Sequence, residues 1–191
     1  GSLGSEKYNL RDHSFSMGYN TDDLEALGLI SSKNQMDIYR SRLIFPIKSI
    51  SGRTIGFGAR ILDNNKKSAK YINSPDSIIY NKSNVLFGLY NSKNEIVKKD
   101  NCFIAEGYTD VMRFHQIGIK NIVSSSGTAL TIGQINLIRR LTKNVTMLFD
   151  SDKAGVNATE RAVELLLSQG MNIDICILPD SEDPDSFAKS K

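Results

Sequence analysis

Over residues 100–191, short apolar runs alternate with stretches of helical period. The runs, 102–105, 119–123, 145–149 and 173–178, are rich in Ile and Val and continuous, which suits strands buried on both faces. Residues 108–117 place Val111, Phe114 and Ile117 on one helical face and stop at Gly118. Residues 132–142 follow Thr131 with Gln134 three positions on, a capping box, and repeat apolar groups at 135, 138 and 141. Residues 154–169 align Val156, Val163 and Leu166/Leu167 ahead of Gly170. This alternation predicts an α/β fold: an open, mainly parallel sheet flanked by helices.

Residues 1–99 read as a smaller, mixed α+β lobe. Leu43, Phe45 and Ile47 alternate with Ile44, Pro46 and Lys48, Ser51-Gly52 supplies a turn, and Thr54 to Leu62 form a second run, which together predict a hairpin. Pro46 lacks a ladder donor and assigns its strand to an edge or a bulge. Gly56 and Gly58 strip one face of side chains, either for close approach of a ligand or for tight packing. Upstream, residues 6–37 are polar and weakly patterned; only Thr21 to Gly28 predicts a short helix, with Thr21 as its cap.

Composition narrows the class. Of 191 residues, 40% are apolar and 24% charged, as in ordinary globular chains, and no apolar stretch approaches the roughly 20 residues of a membrane span. Gly1 to Ser5 reads as a flexible end and not as a signal peptide. Cys102 and Cys176 each sit inside an apolar run, as buried free thiols suited to a reducing cytoplasm. With only His13 and His115 besides, no zinc site is expected. The net charge of +3 is unevenly spread: residues 1–99 carry 15 Lys/Arg against 9 Asp/Glu, and residues 100–191 carry 9 against 12. Within 38–82, nine bases face two acids. A basic half joined to an acidic half fits either a metal-dependent enzyme acting on polyanions or a solvated Lys-rich surface.

The acids decide between these. In open parallel sheets, function collects at the carboxyl ends of strands. Glu106 follows the first run, with Asp110 one helical turn on; Asp150 and Asp152 follow the third; Asp180, Glu182, Asp183 and Asp185 follow the last. Gathered carboxylates repel unless a cation neutralises them, and Mg2+, or Mn2+ in its place, takes hard oxygen ligands completed by water and substrate phosphates. Glu160 and Glu164 read as helix surface. Ser124 to Thr128, at the end of the second run, is left without a role. Around Lys70, Tyr71 and Asn73, basic and aromatic groups could meet phosphates or a base, or simply be solvated.

The segment Glu106-Gly107-Tyr108-Thr109-Asp110, with Asp150-Ser151-Asp152-Lys153-Ala154-Gly155, resembles the two signature motifs of a Toprim domain, which primases, topoisomerases and some nucleases share. Arg42 to Ile47, Gly52 to Arg60, Lys70 to Pro75, Leu86 to Tyr90, Ser126 to Thr131 and Leu178 to Asp185 resemble one branch, the bacterial replicative DNA primases. The resemblance implies synthesis of RNA primers from ribonucleoside triphosphates on a single-stranded DNA template. It implies catalytic Glu106, Asp150 and Asp152, with Asp110, Asp183 and Asp185 completing the metal ligands. It places Arg60, Lys70, Asn73 and Lys82 in a basic groove for nucleotide phosphates and template. Residues 1–99 are then the partial basic lobe and residues 100–191 the Toprim domain.

Two small departures are Ser151 and Ser83, where the family commonly has glycine. The family's zinc-binding and helicase-binding domains are not in this sequence, so a catalytic-core fragment is expected, cytoplasmic at the replication fork, meeting the helicase only through a domain absent here. The competing readings are a Toprim-type nuclease and a metal- and nucleotide-binding module inactive on its own.

Overall fold

The computed structural model describes residues 2–3, 9–62, 69–149 and 153–177. The chain divides into two compact units, Gly1–Ile47 with Thr54–Asn81, and Lys48–Arg53 with Lys82–Lys191.

The first unit holds strands β1 (Ser2–Leu3), β2 (Arg42–Lys48), β3 (Thr54–Ile61) and β4 (Tyr71–Asn73), in that spatial order, with helices α1 (Asn9–Ser16) and α2 (Thr21–Ala26). The expected hairpin is β2–β3. The two residues of β1 pair only with Arg42 and Leu43, so Pro46 lies where β2 has no described outer neighbour, as its missing N–H requires. The face bared at Gly56 serves packing: a Cβ there would lie 3.1 Å from the Tyr80 ring, and Tyr80 is buried.

Three local expectations fail here, the first within the stretch read as a flexible end, where Ser2 and Leu3 pair with β2 as a strand. Helix α1 lies in the stretch read as unpatterned. It has no apolar face to announce it, and its start is held from far along the chain: the buried Asp37 carboxylate accepts the N–H groups of Leu10 at 2.6 Å and Arg11 at 3.0 Å. The cap of α2 is Asn20, not Thr21; Asn20 Oδ1 accepts the Asp23 N–H at 2.9 Å.

The second unit is the expected parallel α/β sheet. Strands β5 (Cys102–Ala105), β6 (Ile122–Ser124), β7 (Asn144–Phe149) and β8 (Asn172–Ile177) lie in the order β6-β5-β7-β8, with parallel pairs throughout. Helices α3 (Leu89–Lys99), α4 (Tyr108–Gln116), α5 (Ile132–Arg139) and α6 (Lys153–Ser168) flank it. Successive strand residues face opposite ways, so the core forms two clusters. Cys102 and Ile104 join Val145, Met147, Ile96, Ile135, Ile138 and Leu166. Phe103 and Ala105 join Ile122, Leu148, Val111 and Phe114. The hairpin turn belongs to this unit: Lys93 Nζ donates to the Ile50 carbonyl at 2.9 Å, and Gly52 lies under the Tyr90 ring.

Several boundaries move for identifiable reasons. The run 119–123 becomes a strand only at Ile122, because Gly118 (φ +89°) closes α4 and the Ile119 N–H donates back to the Phe114 carbonyl at 2.9 Å. Helix α5 stops at Arg139; a tight turn takes over, with Leu141 and Thr142 N–H groups both donating to Ile138. On α6, Leu166 enters the core while Leu167 is 59% exposed. The last strand is not buried on both faces, since β8 is a sheet edge whose Ile175 is exposed and whose Cys176 is only half-buried. The side chain of Val156 lies outside the described residues.

Candidate functional site

The carboxyl edge of the parallel sheet is built around one strand-to-helix turn. β5 ends at Ala105, Glu106 is exposed, Gly107 caps α4 with extended backbone, and Tyr108 starts the helix. Tyr108 is buried and meets Phe87 edge-on, with ring centroids 4.8 Å apart, which anchors the first turn of α4. The Glu106 carbonyl accepts the Ser124 hydroxyl at 2.7 Å and the Gly127 N–H at 3.1 Å. Ser124 is fully buried and also accepts the Ser126 N–H at 2.8 Å. Ser126 and Gly127 both have left-handed backbones (φ +62° and +75°), which fold the loop back onto Glu106. Ser124 is in turn paired with Phe87 through two backbone bonds of 2.9 and 3.0 Å. The Ser124–Thr128 stretch thus has a task that sequence reading missed: it fixes the backbone that carries Glu106. Its signal was its place at a strand end.

Asp110 lies half-buried in the first turn of α4, and its Oδ2 accepts the Gly107 N–H at 2.8 Å. The positive end of the helix favours the carboxylate there. Glu106 and Asp110 thus flank one strand-to-helix turn, the first just before Gly107 and the second in the first turn of α4. Asp150, Asp152, Asp183 and Asp185 lie outside the described residues, as do Asp180 and Glu182. Among the described residues no group of three or more His, Cys, Asp or Glu could hold a metal. The donors present still fit a magnesium-like ion, which commonly takes one or two carboxylates and completes its shell with water and phosphate oxygens.

In the first unit, β3, β4 and the residue just ahead of β4 supply three of the expected basic-groove residues. Arg60 pairs in register with Tyr71, and Gly58 with Asn73. The Arg60 guanidinium lies 5.8 Å and Lys70 Nζ 5.9 Å from the centroid of the half-exposed Tyr71 ring. The strand carrying them is fixed by neighbours. Arg42, nearly buried, donates from Nη1 to the Ala69 carbonyl at 2.9 Å, and burial lowers its pKa from a very high starting value. Ser74 Oγ accepts the Phe57 N–H at 2.9 Å and bonds the Tyr39 hydroxyl at 2.9 Å. Burial pushes the Tyr39 pKa up, so the phenol stays protonated as part of this lock. Lys82, in the second unit, opens a 3₁₀ turn (Lys82–Asn84) and is half-buried. Cys102 is wholly buried and burial pushes its thiol pKa up, which makes it an inert core group.

Among the described residues no helix is long and apolar enough to cross a membrane. Residues 1–93 match the family described as the DNA primase catalytic core, N-terminal domain, and residues 103–188 the Toprim-like family. The DNA primase of Clostridium acetobutylicum is 43% identical over 177 residues, which are 91% of this chain and 29% of that protein. The chain thus spans about a third of the length of this curated relative. A solved DnaG catalytic core superposes with a TM-score of 0.89 at 34% identity, covering all of this chain and 62% of that one. A DnaG primase catalytic domain bound to single-stranded DNA superposes with a TM-score of 0.88 at 34% identity, covering all of this chain and 63% of that one. A basic antiparallel lobe, a parallel sheet with acids at its carboxyl edge, and matches running through both place the chain in the bacterial DNA primase family, within its catalytic core.

Proposed function

We propose that this chain forms part of a core that joins ribonucleotides into short RNA primers on a single-stranded DNA template during replication. The observation that carries the reading is Glu106: exposed at the carboxyl edge, beside Asp110, on a backbone held by Ser124 and Gly127. The Toprim-like part implies a divalent metal, and Mg2+ fits the oxygen donors best, with Mn2+ able to replace it. In this reading Glu106, Asp150 and Asp152 are catalytic and ligate metal, and Asp110, Asp183 and Asp185 complete the ligand set. Bound there, the ion would offset negative charge as a 3′-hydroxyl oxygen bonds to the α-phosphorus and pyrophosphate leaves.

The chain's own side chains do the binding. Arg60 on β3, Lys70 just ahead of β4, Asn73 on β4 and Lys82 on its turn hold phosphates of nucleotide or template. The single-stranded DNA in a relative's structure supports that substrate class. Ribonucleoside triphosphates, template and nascent primer are the partners of this core. The compartment is the bacterial cytoplasm.

The test is to incubate the chain with single-stranded DNA, labelled ribonucleotides and magnesium, beside its Glu106→Gln variant. New RNA from the wild type alone supports the reading. Cleaved DNA without RNA would replace it with a nuclease, and magnesium-dependent nucleotide binding without product would make the chain a binding module.

A further inference from the structure

A buried amide is costly unless all its bonds are made. Gln134 is fully buried on the first turn of α5. Its Oε1 accepts the Thr131 N–H at 3.1 Å, which closes the capping box. Its Nε2 donates to the carbonyls of Lys82 at 3.0 Å and Val85 at 2.9 Å, some fifty residues earlier in the chain. Thr131 Oγ1 donates to the Ser83 carbonyl at 2.6 Å. Gly133 completes the seat: a Cβ there would fall 2.5 Å from the Ser83 carbonyl oxygen and against the Asn84 side chain.

Glutamate closes a capping box as well as glutamine does, but only the amide adds donors on its far side. Those donors do nothing for α5. They fasten the turn that Lys82 opens. A lysine head on a four-carbon stem meets a fixed phosphate well only if its backbone is fixed first. We infer that Gln134 is a positioning residue, with Gly133 as its seat, that holds the Lys82 turn where a phosphate of the template strand is bound. This rests on the phosphate-binding role proposed above for Lys82.

The experiment measures affinity for a fluorescent oligothymidylate across a salt series. It uses the wild-type chain, Lys82→Ala, Gln134→Met, the double variant, and Gly133→Ala. Methionine matches the volume without a donor or a charge; alanine at 133 favours the helix but crowds Ser83. Lys82→Ala and Gln134→Met should each weaken binding about tenfold, the scale of a charged hydrogen bond. Each should make the log–log salt slope shallower by about 0.7, one phosphate contact on a single strand. The double variant should bind no worse than Lys82→Ala, and Gly133→Ala should share the shallower slope. A merely weakened fold would lower the melting temperature and leave the slope of the folded fraction alone. If Lys82→Ala binds like wild type, the role of Lys82 falls and takes the inference with it. If Lys82→Ala is weakened while Gln134→Met and Gly133→Ala bind normally, or Gln134→Met adds its full effect in the double variant, positioning is overturned and Lys82 stands. Should Gln134→Met fail to fold, Gly133→Ala decides alone.

Discussion

Strand β5 has an acid near each end, and the hydrogen bonds described around the two hold different parts of the residue. At the amino edge, the Asp100 carboxylate accepts the Thr142 hydroxyl at 2.7 Å and the Asn144 amide at 3.0 Å. Its neighbours continue the pattern: Asn101 Nδ2 donates to Thr146 Oγ1 at 3.0 Å, Asn121 Nδ2 to the Asn101 carbonyl at 3.0 Å, and Asn172 Nδ2 to Asn144 Oδ1 at 2.7 Å. At the carboxyl edge, the Glu106 carbonyl accepts the Ser124 hydroxyl and the Gly127 N–H, and the residue, like Asp100, is exposed. An acid that serves the fold has its carboxylate oxygens tied to its own protein. In the proposed reading Glu106 serves chemistry, and the bonds to its carbonyl keep the turn in place when its carboxylate meets a ligand.

The sharpest break of this comparison is Glu106→Gln. Primer synthesis should fall at least about a hundredfold, the scale for deleting one electrostatic partner of a transition state. Stability should change by no more than about 0.5 kcal/mol, as for an exposed side chain whose replacement keeps its size. Ribonucleotide incorporation and a urea titration on the same preparation check both halves. A large loss of stability would mean that Glu106 belongs with Asp100. Next comes Ser124→Ala, which withdraws a donor from the Glu106 carbonyl and an acceptor from the Ser126 N–H. It should cost about 1–3 kcal/mol of stability. It should also lower activity in conditions where all the protein is folded, because the carboxylate is no longer held in place; full activity there would remove Ser124 from the site.

Asp100→Asn is the reciprocal case and the smaller effect. The asparagine turns an NH₂ toward Thr142 or Asn144, both donors, at a cost of about 1 kcal/mol given how exposed Asp100 is. Ribonucleotide incorporation by the folded variant should equal wild type. An activity loss comparable to that of Glu106→Gln would erase the distinction between the edges.

The parallel sheet was legible because continuous Ile/Val runs and a 3.6-residue period are local signals, and the capping box at Thr131 and Gln134 was read from two residues alone. The positions of Glu106 at a strand end and Asp110 in the following first turn were legible for the same reason: both are set by neighbouring residues in the chain. What escaped depends on distance. Asp37 caps α1 from about 27 residues away. Ser124 reaches Glu106 across 18 residues and Gln134 reaches Lys82 across 52. No pattern within one element announces such bonds. The boundary errors at Ile119 and Asn20 are of another kind: Gly118 was read as the helix stop, but an apolar run does not show that Ile119 still bonds back to Phe114, and the asparagine cap competed with an equally plausible Thr21.

The finest test of the two edges uses pH. His115, near the end of α4, lies with Nε2 3.2 Å from Ser92 Oγ, and Ser92 donates its proton to the Ile122 carbonyl at 2.7 Å, where β6 begins. That network assigns Nε2 of His115 as the donor and places the ring at the amino edge. Burial first, and the positive charge of Lys120 second, lower the imidazole pKa below its ordinary value. The folded state therefore resists protonation more than the unfolded chain does. The associated stability is complete above the ordinary histidine range, about pH 6.5, and is lost as pH falls through the lowered folded value. Urea midpoints taken from about pH 8 down to about pH 5 should drop less steeply for His115→Gln than for wild type, with Lys120→Gln intermediate. The pH profile of ribonucleotide incorporation by the folded protein should be the same in all three, because His115 serves the edge where side chains are tied to the fold. A shifted activity profile in His115→Gln would show that the two ends of the sheet are coupled.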